Sequence, residues 1–259
     1  MIIQFIDSIG SYTLFICSIL GRFSIFFWQA IIALCRTRLK LSKTITQMNR
    51  IGVESFNIIV LTGGFTGMVF ALQSYIGFQR VGGEQFIGAV VALGMTRELG
   101  PVLTGLMVTG RAGSAITAEI GTMRITEQLD ALKTLRLNIF QYLVVPRMVA
   151  STIVLPCLTA FSMIFGIIGG YIVCVHVLEL SPEDYRKSIE GYLEFEDIRG
   201  GLIKSAVFGL ILSWVGTYKG YYTSGGARGV GIATTQSVVL SSIMILIANY
   251  FLTKLLERL

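Results

Sequence analysis

Six consecutive residues, Thr96-Arg97-Glu98-Leu99-Gly100-Pro101, hold the most informative polar chemistry in the chain. A guanidinium and a carboxylate stand side by side in an otherwise apolar run from Gln85 to Gly110. Arg97 falls roughly 18 Å along a helix from Gln85, which places it near mid-membrane. A charge in hydrocarbon costs at least about 2.5 kcal/mol, so such residues face a cavity, a partner helix or a ligand. Neighbours on a helix point in different directions, so Arg97 and Glu98 do not neutralise each other face to face. Pro101 has no N–H, and the Arg97 carbonyl therefore loses its helical partner. Gly100 loosens the same turn. A broken helix at membrane depth is tolerated where it lines a cavity or is buried in protein. The chemistry that follows is binding. Arg97 would contact the phosphate of an anionic headgroup, and Glu98 would position a base or pair with one. The structural alternative is an ion pair with another helix, for which Lys204 is the obvious candidate.

A second feature is the polar connection from Arg111 to Arg147. It contains Arg111, Glu119, Arg124, Glu127 and Asp130. Thr126 is expected to cap a short helix, with Glu127 and Asp130 in its favourable first turn. Leu129, Leu132 and Leu135 recur at helical spacing, and the apolar face they make needs a cover. A soluble partner is one cover and the chain's own bundle is the other. No G-x-x-x-x-G-K-[ST] phosphate loop occurs, so any ATP that drives this chain is hydrolysed on another subunit. No catalytic residue and no metal ligand set is assigned. Cys17, Cys35, Cys157 and Cys174 are dispersed in apolar stretches, and the single His176 ends one.

The elements that must position these residues are membrane helices. Charged residues are 14% of the chain, against about 25% in soluble domains, so most of its surface need not be wet. About 20 apolar residues cross the hydrocarbon core. Five runs qualify, about 55–79, 85–110, 148–178, 200–218 and 229–253. The N-terminal stretch differs. Two shorter apolar runs meet at Arg22, which predicts interfacial or elbow helices over 1–47; a sixth span with one Arg inside is the alternative. Asp7 precedes any base, which does not fit a cleaved leader. The fold class is an all-α integral membrane protein, with five transmembrane helices, N-terminal interfacial or elbow helices and a cytoplasmic coupling helix. Arg36, Arg38, Lys40, Lys43 and Arg50 stand without an acid among them, and the 111–147 connection is also basic. Residues 177–199 carry mostly acids. Basic loops stay inside, so the five-span reading puts the N-terminus in the cytoplasm and the C-terminus outside, with Lys254 and Arg258 as a mild conflict. Gly63 with Gly67, and Gly166 with Gly170, allow close helix approach, either within one bundle or between two copies.

The run Leu93-Gly94-Met95-Thr96-Arg97-Glu98-Leu99-Gly100-Pro101-Val102 resembles the MlaE family of ABC-transporter permeases. The likeness continues through Gly110 to Ala115, Ala118 to Gly121, Met123 to Leu132, Pro146-Arg147 and Gly231 to Thr235, and covers 45 to 255. The resemblance implies a permease domain over 48–259 of a bacterial inner-membrane protein, working as a homodimer around a lipid cavity. It implies lipid-facing roles for Arg97, Glu98 and Lys204, and docking of a cytoplasmic ATPase on the Arg111–Arg136 region. It further implies that ATP and Mg sit on that ATPase, that a STAS-domain subunit binds it, and that a hexameric MCE lipid-binding protein stands on the periplasmic side. The implied cargo is glycerophospholipid, and no nucleic acid is involved. The competing functions are a secondary transporter or channel relaying ions or protons through Arg97 and Glu98, and a plain membrane anchor. The absence of an inverted repeat counts against the former and the mid-membrane charges against the latter.

Overall fold

A computed structural model describes residues 2–36, 40–80 and 82–256, without the side chains of 2–9, 11–13, 15 and 16. Asp7's side chain, used above against a cleaved leader, and Arg38 and Arg258, used to orient the chain, lie outside what is described. Among the described residues there are eight helical elements and no strand. They are α1 (Ile2–Arg36), α2 (Leu41–Phe78), α3 (Glu84–Ile125), α4 (Gln128–Thr134), α5 (Phe140–His176), α6 (Pro182–Tyr192), α7 (Phe195–Tyr221) and α8 (Gly226–Leu256).

All-helical architecture follows from composition. In hydrocarbon the backbone must satisfy its own hydrogen bonds, and a helix does so within one segment. Six helices are long and apolar enough to cross a membrane: α2, α3, α5, α7, α8 and the Cys17–Arg36 part of α1. The expected break at Arg22 is absent, because α1 runs unbroken to Arg36. Arg22 Nε donates to the Ser18 carbonyl one turn back and does not interrupt the helix. An aromatic cluster ties α1 to the bundle. Phe23 stacks on Trp214 with ring centroids 4.0 Å apart, and buried Phe26 meets Phe140, Tyr218 and Tyr221.

The spans pack around α5 and α7, with α2 running parallel to α5 (Gly63 against Ser162, Gly67 against Gly166) and α3 parallel to α7 (Gly105 against Phe208, Gly113 against Gly216). Phe208, Leu212, Leu155, Ile120 and Ile59 are fully buried between them. The glycine pairs serve this bundle. A Cβ on Gly67 would collide with the backbone of Gly166, and one on Gly63 would meet Ser162. The small residues thus let α2 and α5 approach within one chain. Outward faces are apolar, with Leu61, Phe65 and Val69 on α2 and Ile243, Ile247 and Phe251 on α8 exposed. Such faces suit lipid tails.

The polar connection divides differently from the sequence expectation. α3 does not end near Gly110 but continues to Ile125. Arg111 and Glu119 are therefore on the membrane helix itself. Thr126 does not cap the start of the short helix but stands at the C-terminal cap of α3. Its hydroxyl donates to the Thr122 carbonyl, closing α3. Glu127, with φ 60, takes the left-handed conformation that turns the chain into α4.

Candidate functional site

The regular α-helical winding of α3 gives way at Met95–Leu99 to a π-helical turn. The Gly100 N–H reaches back to the Met95 carbonyl, one residue further than in an α-helix. Pro101 leaves the Arg97 carbonyl free, as its missing N–H requires. Lys204 of α7 fills that vacancy: its ammonium donates to the Arg97 carbonyl at 2.9 Å. The same ammonium donates to Glu98 Oε1 at 2.7 Å and to the Thr253 hydroxyl at 2.6 Å. An ammonium has three donors, so Lys204 is fully used, and its side chain is buried. Asn249 of α8 donates to the other Glu98 oxygen at 2.7 Å. Glu98 and Lys204 thus form a hydrogen-bonded node joining α3, α7 and α8.

Arg97 points elsewhere. Its Nε donates to Asp197 Oδ1 at 2.6 Å, on the first turn of α7. Asp197 also accepts the Glu194 N–H at 3.0 Å, in a capping box that starts α7. The Arg97 side chain is 55% exposed, and its terminal nitrogens have no hydrogen bond among the described residues. The contrast decides which group can meet a ligand. Arg97 presents free donors, whereas Lys204 does not.

These residues border an open cleft of about 430 Å³, lined by Arg97, Glu98, Asp197, Lys204, Glu194 and Glu196 among others. It lies where α7 begins and α8 ends, nearer that end of the bundle than its middle. The lining departs from a cationic pocket, since two bases face four carboxylates. Asp197, Asn249 and Thr253 were missed by sequence reading. Asp197 looked like one more acid of an outer loop, and a capping pattern before an apolar run was the available signal.

The opposite end holds the other candidates. Arg111 donates to Glu54 Oε2 at 2.6 Å and to the Arg50 carbonyl at 2.8 Å. Glu119 pairs with Arg50 at 3.3 Å and with buried Arg147 at 2.8 Å. Arg111 therefore ties α3 to α2, and Glu119 ties it to both α2 and α5. Arg124, Glu127 and Asp130 stand at the α3–α4 corner. Asp130 accepts from Arg124 and Lys133. The Lys133 hydrogen bond and the Arg124 charge hold its carboxyl below the usual range. A depressed carboxylate keeps its contribution above its ordinary pKa and loses it only as pH falls through the lowered value, so this clamp is intact at neutral pH. The leucine face divides. Leu129 is buried in the chain's own core, Leu132 packs beside it, and Leu135 is 69% exposed.

Comparisons with known proteins agree with this architecture. The family described as Permease MlaE matches residues 44–255. A probable ABC transporter permease protein of Rickettsia bellii is 48% identical over 255 residues, covering 98% of each chain. The chloroplastic protein TRIGALACTOSYLDIACYLGLYCEROL 1 of Arabidopsis thaliana is 38% identical over 225 residues, covering 87% of this chain and 64% of its own. The intermembrane phospholipid transport system permease protein MlaE of Haemophilus influenzae is 34% identical over 257 residues, covering 99% of this chain and 98% of its own. The helical bundle, the charged node on α3 and the extent of these matches lead to one conclusion: the chain belongs to the MlaE permease family and is a multi-pass permease subunit of an ABC transporter.

Proposed function

We propose that this chain moves glycerophospholipid between the bacterial inner membrane and a periplasmic MCE partner. The observation that carries the reading is Arg97, held by Asp197 with its terminal nitrogens free in an open cleft at the end of an apolar bundle. Guanidinium is suited to phosphate because its planar donors match the oxygen geometry. The Haemophilus relative is named as a phospholipid transport permease, which supports the cargo. Glu98 and Lys204 act in this reading by shaping the cleft and aiming Arg97. A proton relay through Arg97 and Glu98 is disfavoured, since both Glu98 oxygens are already engaged.

Family membership and the position of the α3–α4 corner support the same reading of the rest of the machine. Two copies of the chain form the permease, and each docks one cytoplasmic ATPase that holds ATP and Mg. A STAS-domain subunit binds that ATPase, and the hexameric MCE protein stands over the cleft end. The basic end, with Lys40, Lys43 and Lys133, is cytoplasmic, and the C-terminus is then periplasmic. An α1 lying in the interface keeps the N-terminus cytoplasmic; an α1 that crosses puts it outside. Arg124, Glu127, Asp130 and exposed Leu135 form the docking surface, with Arg111 and Glu119 transmitting its movement along α3.

Two measurements test this. Arg97→Ala is expected to lower phospholipid recovered with the purified complex several-fold while assembly is unchanged; unchanged lipid would move the headgroup site away from Arg97. Glu127→Lys keeps the backbone cost of the left-handed position and reverses an exposed charge. It is expected to weaken ATPase co-purification, and a full complement of ATPase would place docking elsewhere.

A further inference from the structure

The charge inventory of the cleft bears on which headgroup it takes. Internal pairing removes most of its charged groups from competition. Lys204 and Glu98 satisfy each other. Asp197 holds Arg97 through Nε. The Glu194 side chain caps the α7 N-terminus. Two groups are left over. One is the pair of terminal nitrogens on Arg97. The other is the Glu196 carboxylate, which is exposed and has no hydrogen-bond or ion-pair partner among the described residues. The unused groups are therefore one cation and one anion, on opposing helices of a single cleft.

We propose that the cleft selects a zwitterionic headgroup bearing a primary ammonium, with Arg97 on the phosphate and Glu196 on the ammonium. The inference rests on the lipid-binding reading above. A net-anionic headgroup would meet Arg97 but would also bring its charge towards four carboxylates, two of them unneutralised by any base. A phosphate joined to an ammonium satisfies both free groups and adds no net charge to the cleft. A primary ammonium further offers N–H donors to Glu196, which a trimethylated ammonium lacks. Specificity here comes from repulsion of the wrong headgroup as much as from attraction of the right one.

The test uses the complete transporter complex reconstituted in bilayers of equal parts phosphatidylethanolamine, phosphatidylcholine and phosphatidylglycerol. Lipid retained after purification is quantified by mass spectrometry. The complex is expected to enrich phosphatidylethanolamine over phosphatidylglycerol by about fivefold, which corresponds to about 1 kcal/mol. Glu196→Gln is expected to abolish that preference by lowering retained phosphatidylethanolamine to the level of phosphatidylglycerol, whose retention does not fall. Arg97→Ala is expected to lower all three lipids together. Equal retention of the three by the unaltered complex, or a preference that survives Glu196→Gln, would overturn the headgroup inference and leave the lipid-binding reading standing. Retention of no lipid above a membrane protein of unrelated fold would instead sink the lipid-binding reading itself.

Discussion

Lys204→Met is expected to destabilise the protein by about 3 kcal/mol, the low end of the cost of breaking a buried ion pair, because the Glu98 left behind is 39% exposed. Three losses coincide. Glu98 keeps its charge without its cation. The Arg97 carbonyl, already deprived of a helical donor by Pro101, loses the replacement. Thr253 of α8 loses its link to α7. Met fills a similar volume, so the effect reports polar pairing more than a cavity. Adding Glu98→Gln should restore much of the loss, because the double variant leaves no unpaired charge. Equilibrium unfolding of the purified chain in mild detergent measures both. A single variant as stable as the parent would show that the node does not hold α3, α7 and α8 together.

Glu119→Leu should have a comparable effect at the other end of the bundle. Arg147 is 3% exposed and its Nε has no hydrogen-bond partner. Glu119 is its carboxylate, with the Leu143 carbonyl as the other acceptor. Removing Glu119 leaves a buried guanidinium without a counter-ion, at a cost of about 3–5 kcal/mol. The reverse deletion, Arg147→Leu, should cost less, because Glu119 is partly exposed and retains Arg50. The order is the diagnostic. If Arg147→Leu proves the more damaging of the two, packing around Arg147 outweighs its charge. The same variants bear on coupling, since Glu119 lies on the helix that leads from the α3–α4 corner to Arg97.

The placement of these charges explains how one helix serves two ends. α3 runs from the cleft to the corner where α4 begins, and π-helical turns interrupt it at Met95–Leu99 and Thr109–Gly113. Each turn carries a basic residue, Arg97 in the first and Arg111 in the second. Both side chains pair across to a neighbouring helix, with Asp197 and Glu54. Wider turns often accompany functional sites because they re-aim side chains without ending the helix.

Much of this molecule was decided by the sequence alone. Apolar length determined the membrane helices, because each must satisfy its backbone within itself. Pro101 determined that the Arg97 carbonyl would need an outside donor, because proline has no N–H to give. The adjacency of Arg97 and Glu98 determined that each would seek a separate partner. Lys204 was legible as one of them because it is a lone cation in an apolar run. Tertiary structure decided the rest. It paired Arg97 with Asp197, a residue whose local pattern reads equally well as solvent-exposed loop. It continued α3 to Ile125, because the helix beyond Gly110 is covered by α2, α7 and α8, a shelter that hydropathy along one segment does not register. It made α1 continuous through Arg22, since a charged side chain at a helix surface need not break the helix. It also used up Lys204 inside the node and left Arg97 free at the cleft. Burial and hydrogen-bond count set that difference, and both are properties of neighbours brought together only by the fold.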